Sequence, residues 1–478
     1  RVQHRLQEEL AGRRHTGSGH MVLPFKNIGI EDEDEVGGKI SQLGDLSNRL
    51  HLHTPNGFAI TTTAFFTFMT RNGLLELAQD GIEQWDGSDI GLHELSDLMQ
   101  TRIMDSPLPW RLVAQIDAMV DVLGAQASTP LRLALRSSAW GEDGDSSFAG
   151  QYGTELNIPP ARVVEAYKRV LASTYSIEAW RYRLDRGYHE NEVAMAVGCQ
   201  LMVESHVSGV LFTCTQSSGQ ACETMVVSAA WGGGAAVVSG ETATDTFFLS
   251  RMPPYPPQEQ SISHKLRRLV SAPRGGLVWE CVAEPLQNIP CLNAEQLAQL
   301  ARVGMSLERY YKRPQDVEWT FDAKGQLHIL QSRPLRSVSA YEMSVPVQDA
   351  TQNAETIFAG KGLVAQRGVA VGKVVRVDHN TDLDQFPEGG ILVSKYTSPR
   401  YARVMRRACG IITDVGSPTG HMATIAREQR VPALVNTEIA TSLLHDGDEI
   451  TLDATQNVVY RGRIAELDKF ERDEPDMF

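Results

Sequence analysis

The stretch DVGSPTGHMATIARE, residues 414–428, sets one imidazole between a loop and a helix. Gly416, Ser417, Pro418, Thr419 and Gly420 form a segment poor in bulky side chains. Met422, Ile425 and Ala426 then recur at helical spacing, and Pro432 lies just past the end of the pattern, so the spacing predicts a helix that begins at His421. The positive end of a helix disfavours imidazolium and stabilises an anion carried by the ring. That combination suits a histidine that accepts a phosphoryl group, with Thr419 placed to orient the other ring nitrogen. A lone histidine is more often structural, and neither His328 nor His445 groups with it as a metal-ligand set.

Outward from this stretch, residues 361–465 read as short strands: GVAVGKVVRV, GILVSKY, GIITDV, PALVNT, DEITLD and NVVYRG. Two helices interrupt them, the one at His421 and one at SPRYARVMRRA, with Ser398 as N-cap and Pro399 in the first turn. Residues 336–360 fade into Ser, Glu, Gln, Asn and Thr and read as a linker, while 466–478 form an acidic tail. Residues 22–335 read as one mixed α/β region. In it TPNGFAITTTAFFTFM (54–69) predicts a strand and then a helix, and LRLALRSSAW (131–140) a strand. AMAVGCQLMV and GVLFTCT predict two strands joined by a polar turn, ESHVS. AEQLAQLARVGMSLERYY (294–311) has Leu297, Leu300, Val303 and Leu307 at helical spacing, and DVEWTFDAKGQLHILQSRP (316–334) predicts a hairpin turning at Asp-Ala-Lys-Gly. Residues 1–21 are set aside as a tail or the remnant of something upstream.

Bulk composition narrows the classes. A chain of 478 residues is long for one core, and 42% hydrophobic with 22% charged residues describes an ordinary globular protein. A net charge of -14 argues against a sequence-independent nucleic-acid binder, which needs clustered Lys and Arg. No run reaches the roughly 18 apolar residues of a membrane span. Six cysteines without CxxC spacing fit a reduced, cytoplasmic chain and support neither a disulfide framework nor a zinc site.

Three further segments have the composition of a phosphate site. EVGGKISQLGDL (35–46) places Gly37, Gly38 and Lys39 before a helix, although without P-loop spacing, and such a turn is most often plain surface. LRSSAWGEDGDSSFAGQYGT (135–154) combines Arg136 at a strand end with hydroxyls, carboxylates and a glycine turn at Gly150. A lid over a triphosphate needs that mixture, and a long solvated loop explains it equally. The hairpin offers Glu318 and Gln331 on successive strands, oxygen donors suited to a hard cation, with Arg333 two residues beyond Gln331 and so on the same face.

Together these segments resemble the phosphoenolpyruvate synthase and pyruvate phosphate dikinase family. The resemblance runs from 22 to 465 through GGKISQLGDL, TPNGFAITTTAF, LRSSAWGEDGDSSFAGQ, VSGVLFT, AAWGGGAAVVSGETATD, RPQDVEWTF, ILQSRP, GIITDVGSPTGHMATIAREQRVPALV and LHDGDEITLDATQNVVYRG. It implies an α/β (α+β) fold in which an ATP-grasp-type nucleotide-binding domain precedes a smaller β/β/α phosphohistidine swivelling domain. It further implies that Lys39 and Arg136 contact the triphosphate of ATP, that Gly150 and Thr154 belong to the lid, and that Gln200 lies at the adenine side. Glu318 and Gln331 would hold Mg2+, Arg333 would stabilise the transferring phosphoryl group, and His421 would become phosphohistidine. The linker would let the carrier domain swing between two sites.

Departures from the family bear on the acceptor. The usual loop reads Gly-Gly-x-Thr-Ser-His, and here Gly420 stands in the place of the serine. In phosphoenolpyruvate synthase the acceptor-binding barrel is expected to begin about where the given residues stop, and only about 25 linker-like residues stand where rifamycin phosphotransferases insert a drug-binding domain. The expectation is a pyruvate, water dikinase-like phosphotransferase whose small-molecule or protein acceptor is bound by a separate chain or a missing domain, with neither nucleic acid nor membrane as partner. The alternatives are a phosphohistidine carrier or regulatory module, an enzyme like phenylphosphate synthase or rifamycin phosphotransferase with a non-pyruvate acceptor, and a non-catalytic nucleotide binder.

Overall fold

The computed structural model describes residues 19–126, 130–140, 152–186, 193–214, 224–335, 354–378, 381 and 383–464. They divide into two compact units. The first holds the chain up to Val203 with Ser271–Leu277 and His328–Gln331; the second holds Glu204–Val270, Val278–Leu327 and the chain from Ser332 onward. The division therefore falls inside the stretch read as one nucleotide region.

In the first unit an antiparallel sheet runs in the order Val22–Pro24, Gly57–Ile60, Met195–Leu201, Leu133–Ala139, Thr154–Ile158. Strand alternation gives its two faces different work. Leu133, Leu135, Met195, Val197 and Cys199 point into a core shared with helices such as Thr62–Arg71, Asp89–Asp105 and Val163–Ser173. Ala134, Arg136, Gly198 and Gln200 occupy the opposite face. There the helix Glu33–Asn48 packs so closely that a Cβ on Gly198 would stand 2.1 Å from Ile40 Cδ1.

A six-stranded sheet, assigned to the second unit except for His328–Gln331, runs Leu327–Pro334, Gln315–Asp322, Ser205–Phe212, Thr224–Trp231, Asp245–Ser250, Pro257–Ser261. The expected hairpin is present, turning through Gly325 at φ +78°. Met195–Leu201 and Ser205–Phe212 do not form the expected pair, since they lie in different sheets, and residues 205–208 of the supposed turn are already strand. A short polar connector resembles a hairpin turn, yet ESHVS lacks the Gly, Asn or Asp that tight two-residue hairpin turns favour. The helix Ala294–Tyr311 starts at a capping box of Asn293 and Gln296 and buries Leu297, Leu300 and Leu307 as its spacing requires.

An eight-stranded sheet, also in the second unit, runs Thr356–Ala359, Val458–Arg461, Glu449–Asp453, Val369–Arg376, Gly390–Ser394, Ala408–Thr413, Ala433–Val435, Leu363–Gln366. Its four central strands pair in parallel and its margins antiparallel. Both faces are covered, with Leu392, Ile411 and Val435 in one core and Val393, Ile412 and Leu434 in the other. Two covered faces explain why GILVS and GIIT are continuous apolar runs with no alternation. Thr356–Ala359, in the stretch read as linker, is the first strand of this sheet; residues 336–353 lie outside the described ones. The helix expected at SPRYARVMRRA is a 3-10 turn, Pro399–Val404, followed directly by the strand Ala408–Thr413. Three residues separate the two, too few for another helical turn.

Among the described residues Cys199, Cys281, Cys291 and Cys409 are free thiols, but Cys214 is disulfide-bonded, contrary to the wholly reduced chain expected. Among the described residues no helix is long and apolar enough to cross a membrane.

Candidate active site

In the first unit the Gly-Gly-Lys segment is a packed joint and no surface turn. Gly37 and Gly38 are buried. Gly37 adopts φ 72°, ψ 164°, a region essentially reserved for glycine, and a Cβ there would lie 2.2 Å from the Ser138 carbonyl oxygen. Three residues on, the Ile40 amide donates to Ser138 Oγ at 3.3 Å. These contacts fix half-buried Lys39 beside the end of the strand that carries Arg136.

Ladder register brings the neighbours of Arg136 together. Thr154 is its partner on one side and Gly198 on the other, and Gln200 lies two residues beyond Gly198 on the same face. Thr154 is exposed, while Arg136 is half-buried and its Nη1 donates to the Leu330 carbonyl at 3.1 Å. Gln200 is 4% exposed, and its Oε1 has no hydrogen-bond partner among the described residues. A buried carbonyl left without a donor costs about 1–3 kcal/mol, so this one marks a place where a ligand N–H fits. The same holds for Gln42 Oε1, one helical turn beyond Lys39, which the sequence did not single out. Gln331 is buried in this unit as well. Gly150 lies outside the described residues.

In the second unit the charged centre is Arg333. Its Nε donates to Asp316 Oδ2 at 2.8 Å, and Asp316 is 6% exposed. Burial raises the Asp316 pKa; Arg333 and Arg427 oppose that, and Glu318 adds to it. Glu318 lies two residues from Asp316 and so on the same face of its strand, half-buried. Sequence reasoning passed over Asp316, although its i, i+2 relation to Glu318 was a usable signal.

His421 opens the helix His421–Glu428, with Gly420 as N-cap in extended backbone. Met422, Ala423 and Ala426 are buried, Ile425 is partly so, and His421 is half-buried. The loop before the helix is braced from within. Ser417 and Thr419 share a hydroxyl hydrogen bond of 2.8 Å, and the Thr419 amide donates to Ser417 Oγ at 3.1 Å. Asp414, at the loop entrance, accepts from Thr437 Oγ1 and from the Thr441 amide, both at 3.1 Å. The Thr419 hydroxyl is thus engaged by Ser417. A Cβ on Gly420 would meet the Ser417 carbonyl oxygen at 3.2 Å, so a serine there is crowded but not walled out.

Comparison with known proteins gives the family of the chain. The family described as pyruvate phosphate dikinase, AMP/ATP-binding domain, matches residues 33–354, and that described as PEP-utilising enzyme, mobile domain, matches 386–457. The chain belongs to the phosphoenolpyruvate synthase and pyruvate phosphate dikinase family. It is 33% identical to the probable phosphoenolpyruvate synthase of Archaeoglobus fulgidus, over 93% of this chain and 58% of that protein. It is 32% identical to the phosphoenolpyruvate synthase of Neisseria meningitidis serogroup B (91% and 57% covered) and 33% to that of Deinococcus radiodurans (93% and 58%). The chain therefore spans somewhat over half the length of these relatives.

Proposed function

We propose that this chain is the phosphohistidine-forming part of a pyruvate, water dikinase-like phosphotransferase, with 22–335 as nucleotide region and 361–465 as carrier. A nitrogen of the His421 ring attacks the β-phosphorus of ATP, the bond to the α,β-bridging oxygen breaks, and AMP leaves. Water then removes the γ-phosphoryl group as inorganic phosphate, and phosphohistidine remains for transfer to an acceptor held by another chain or domain. The names of the relatives support pyruvate as that acceptor. The use of ATP fits a cytoplasmic location.

The observation that carries the reading is His421 at the first position of a helix, behind a braced loop, in a chain whose two family matches fall on either side of residue 360. Lys39 and Arg136 are the proposed triphosphate contacts, Gly150 and Thr154 the lid, and Gln200, with its unpartnered carbonyl, the adenine contact. Glu318 and Gln331 are the proposed Mg2+ holders. Among the described residues no cluster of three or more His, Cys, Asp or Glu could hold a metal by itself. Magnesium takes one or two carboxylates and completes its shell with phosphate oxygens and water. Bound there, the ion neutralises charge on the β- and γ-phosphoryl oxygens.

ATP labelled in the β or the γ position tests the reading. The β-label is expected on the protein in acid-labile, alkali-stable form, mapped to the His421 peptide by mass spectrometry, and the γ-label in free phosphate. An unmodified His421 after exposure to Mg·ATP overturns it. Glu318→Ala is expected to shift the magnesium dependence of labelling to concentrations about tenfold higher or more, the loss of one charged ligand. An unchanged metal titration removes Glu318 from the site.

A further inference from the structure

The last turn of the His421 helix carries Arg427, whose side chain runs back toward the helix start, as helical side chains do. Its Nη1 donates to the Pro418 carbonyl at 2.7 Å and the Ala365 carbonyl at 3.2 Å, and its Nη2 to Thr424 Oγ1 at 3.1 Å. The guanidinium carbon also stands 5.2 Å from the centroid of the Phe212 ring. Phe212 ends a strand of the six-stranded sheet, and its ladder partner there is Asp316, the carboxylate bound by Arg333. One cation therefore spans the loop before His421 and a patch on the other sheet of the same unit.

We propose that Arg427 is a positioning residue that makes the loop geometry of His421 depend on the seating of the eight-stranded sheet against Phe212 and Asp316. The proposal deepens the reading of His421 as phosphoryl acceptor and rests on it. Arginine suits the task because its planar group stacks on an aromatic ring while its edge donates to carbonyls, which an ammonium cannot reproduce. Burial lowers its pKa only to about 10, so the charge survives at neutral pH, and Asp316 contributes to holding it there. The seat has other contacts that do not involve Arg427. Thr397 Oγ1 donates to the Ser239 carbonyl at 3.0 Å, Asn436 Nδ2 to Ser263 Oγ at 3.4 Å, and the Arg267 guanidinium lies 5.4 Å from the Tyr396 ring centroid. Because coupling is reciprocal, whatever fixes the Pro418 carbonyl favours seating, and loss of the seat loosens the loop.

The test uses the whole chain and two phosphoryl donors. ATP requires the seated arrangement, whereas phosphoramidate, a small donor in free solution, phosphorylates an accessible histidine without it. Arg427→Ala and Phe212→Ala are each expected to slow ATP-driven labelling of His421 about tenfold or more, the scale of a desolvated cation–π contact, and to spare ATP affinity and phosphoramidate labelling. The double variant is expected to be no slower than Arg427→Ala, because both remove one contact. Arg427→Lys is expected to rescue little. Gly240→Ala reaches the same seat by another route, since its Cβ would fall 1.8 Å from Thr397 Oγ1, and it is expected to give the same split between donors. Unchanged ATP-driven labelling in Phe212→Ala, multiplied losses in the double variant, or equal losses with both donors would overturn the proposal. Hydrogen exchange separates its failure from that of the parent reading. If the wild type takes no label from ATP, faster exchange at residues 235–240 and 395–397 in Arg427→Ala still supports the seat, and unchanged exchange there overturns it.

Discussion

Arg333→Ala is expected to lower the rate of His421 phosphorylation by about 10²–10³-fold, the usual cost of losing one preorganised donor to developing charge. ATP affinity should fall far less, because the contact strengthens as charge gathers on the transferring group. The ion pair with Asp316 adds a second consequence that the sequence did not announce. Asp316 is 6% exposed, and removing the partner of a buried charge typically destabilises by about 3–5 kcal/mol. Burial already raises the Asp316 pKa in the folded protein, so the native state holds its proton more tightly than the unfolded chain. Stability from this group is therefore present below the unfolded carboxylate pKa and is lost as pH rises through the higher folded value. Without Arg333 that folded value rises further. The stability gap between wild type and Arg333→Ala should accordingly be wide at neutral pH and narrow on acidification, as read by thermal melts across the range. Arg333→Ala/Asp316→Asn should regain stability at neutral pH and remain slow. Recovery of rate along with stability would show that Arg333 serves the fold alone.

Gly37→Ala is expected to remove most nucleotide binding. At φ 72°, ψ 164° a side chain costs about 1–3 kcal/mol through backbone strain alone. The added carbon would also lie 2.2 Å from the Ser138 carbonyl oxygen, a backbone atom that cannot rotate away. The loop must then leave its strand, and Lys39 moves with it. We expect ATP affinity, measured by calorimetry, to fall about tenfold or more, equivalent to about 1.4 kcal/mol. Gly276→Ala, at φ +73° with no atom within 4 Å of the added carbon, is the control in the same unit. It should lose some stability and keep its affinity. Equal affinity losses in both variants would trace the effect to general destabilisation.

Local sequence was informative wherever the deciding interaction is local. The 3.6-residue recurrence of Leu297, Leu300 and Leu307 identified its helix, as Met422 and Ala426 did for the one at His421. The continuous apolar runs GILVS and GIIT marked strands covered on both faces. The ESHVS connector misled because a polar pentapeptide looks alike whether it turns a hairpin or passes between sheets.

What the sequence by itself determined about this protein is its family, and with it the residues proposed to bear its chemistry. Gly37, Lys39, Arg136, Glu318, Arg333 and His421 stand in recognisable segments, and each element's period places its own residues on a face. Only the tertiary structure decided which of those faces meet. Asp316 holds Arg333, Ser138 receives Gly37, and Phe212 carries Arg427 across more than two hundred residues of chain. Periodicity orients a side chain within its own element, but its partner is chosen by how separate elements pack to bury their apolar surface, and no local pattern encodes that choice.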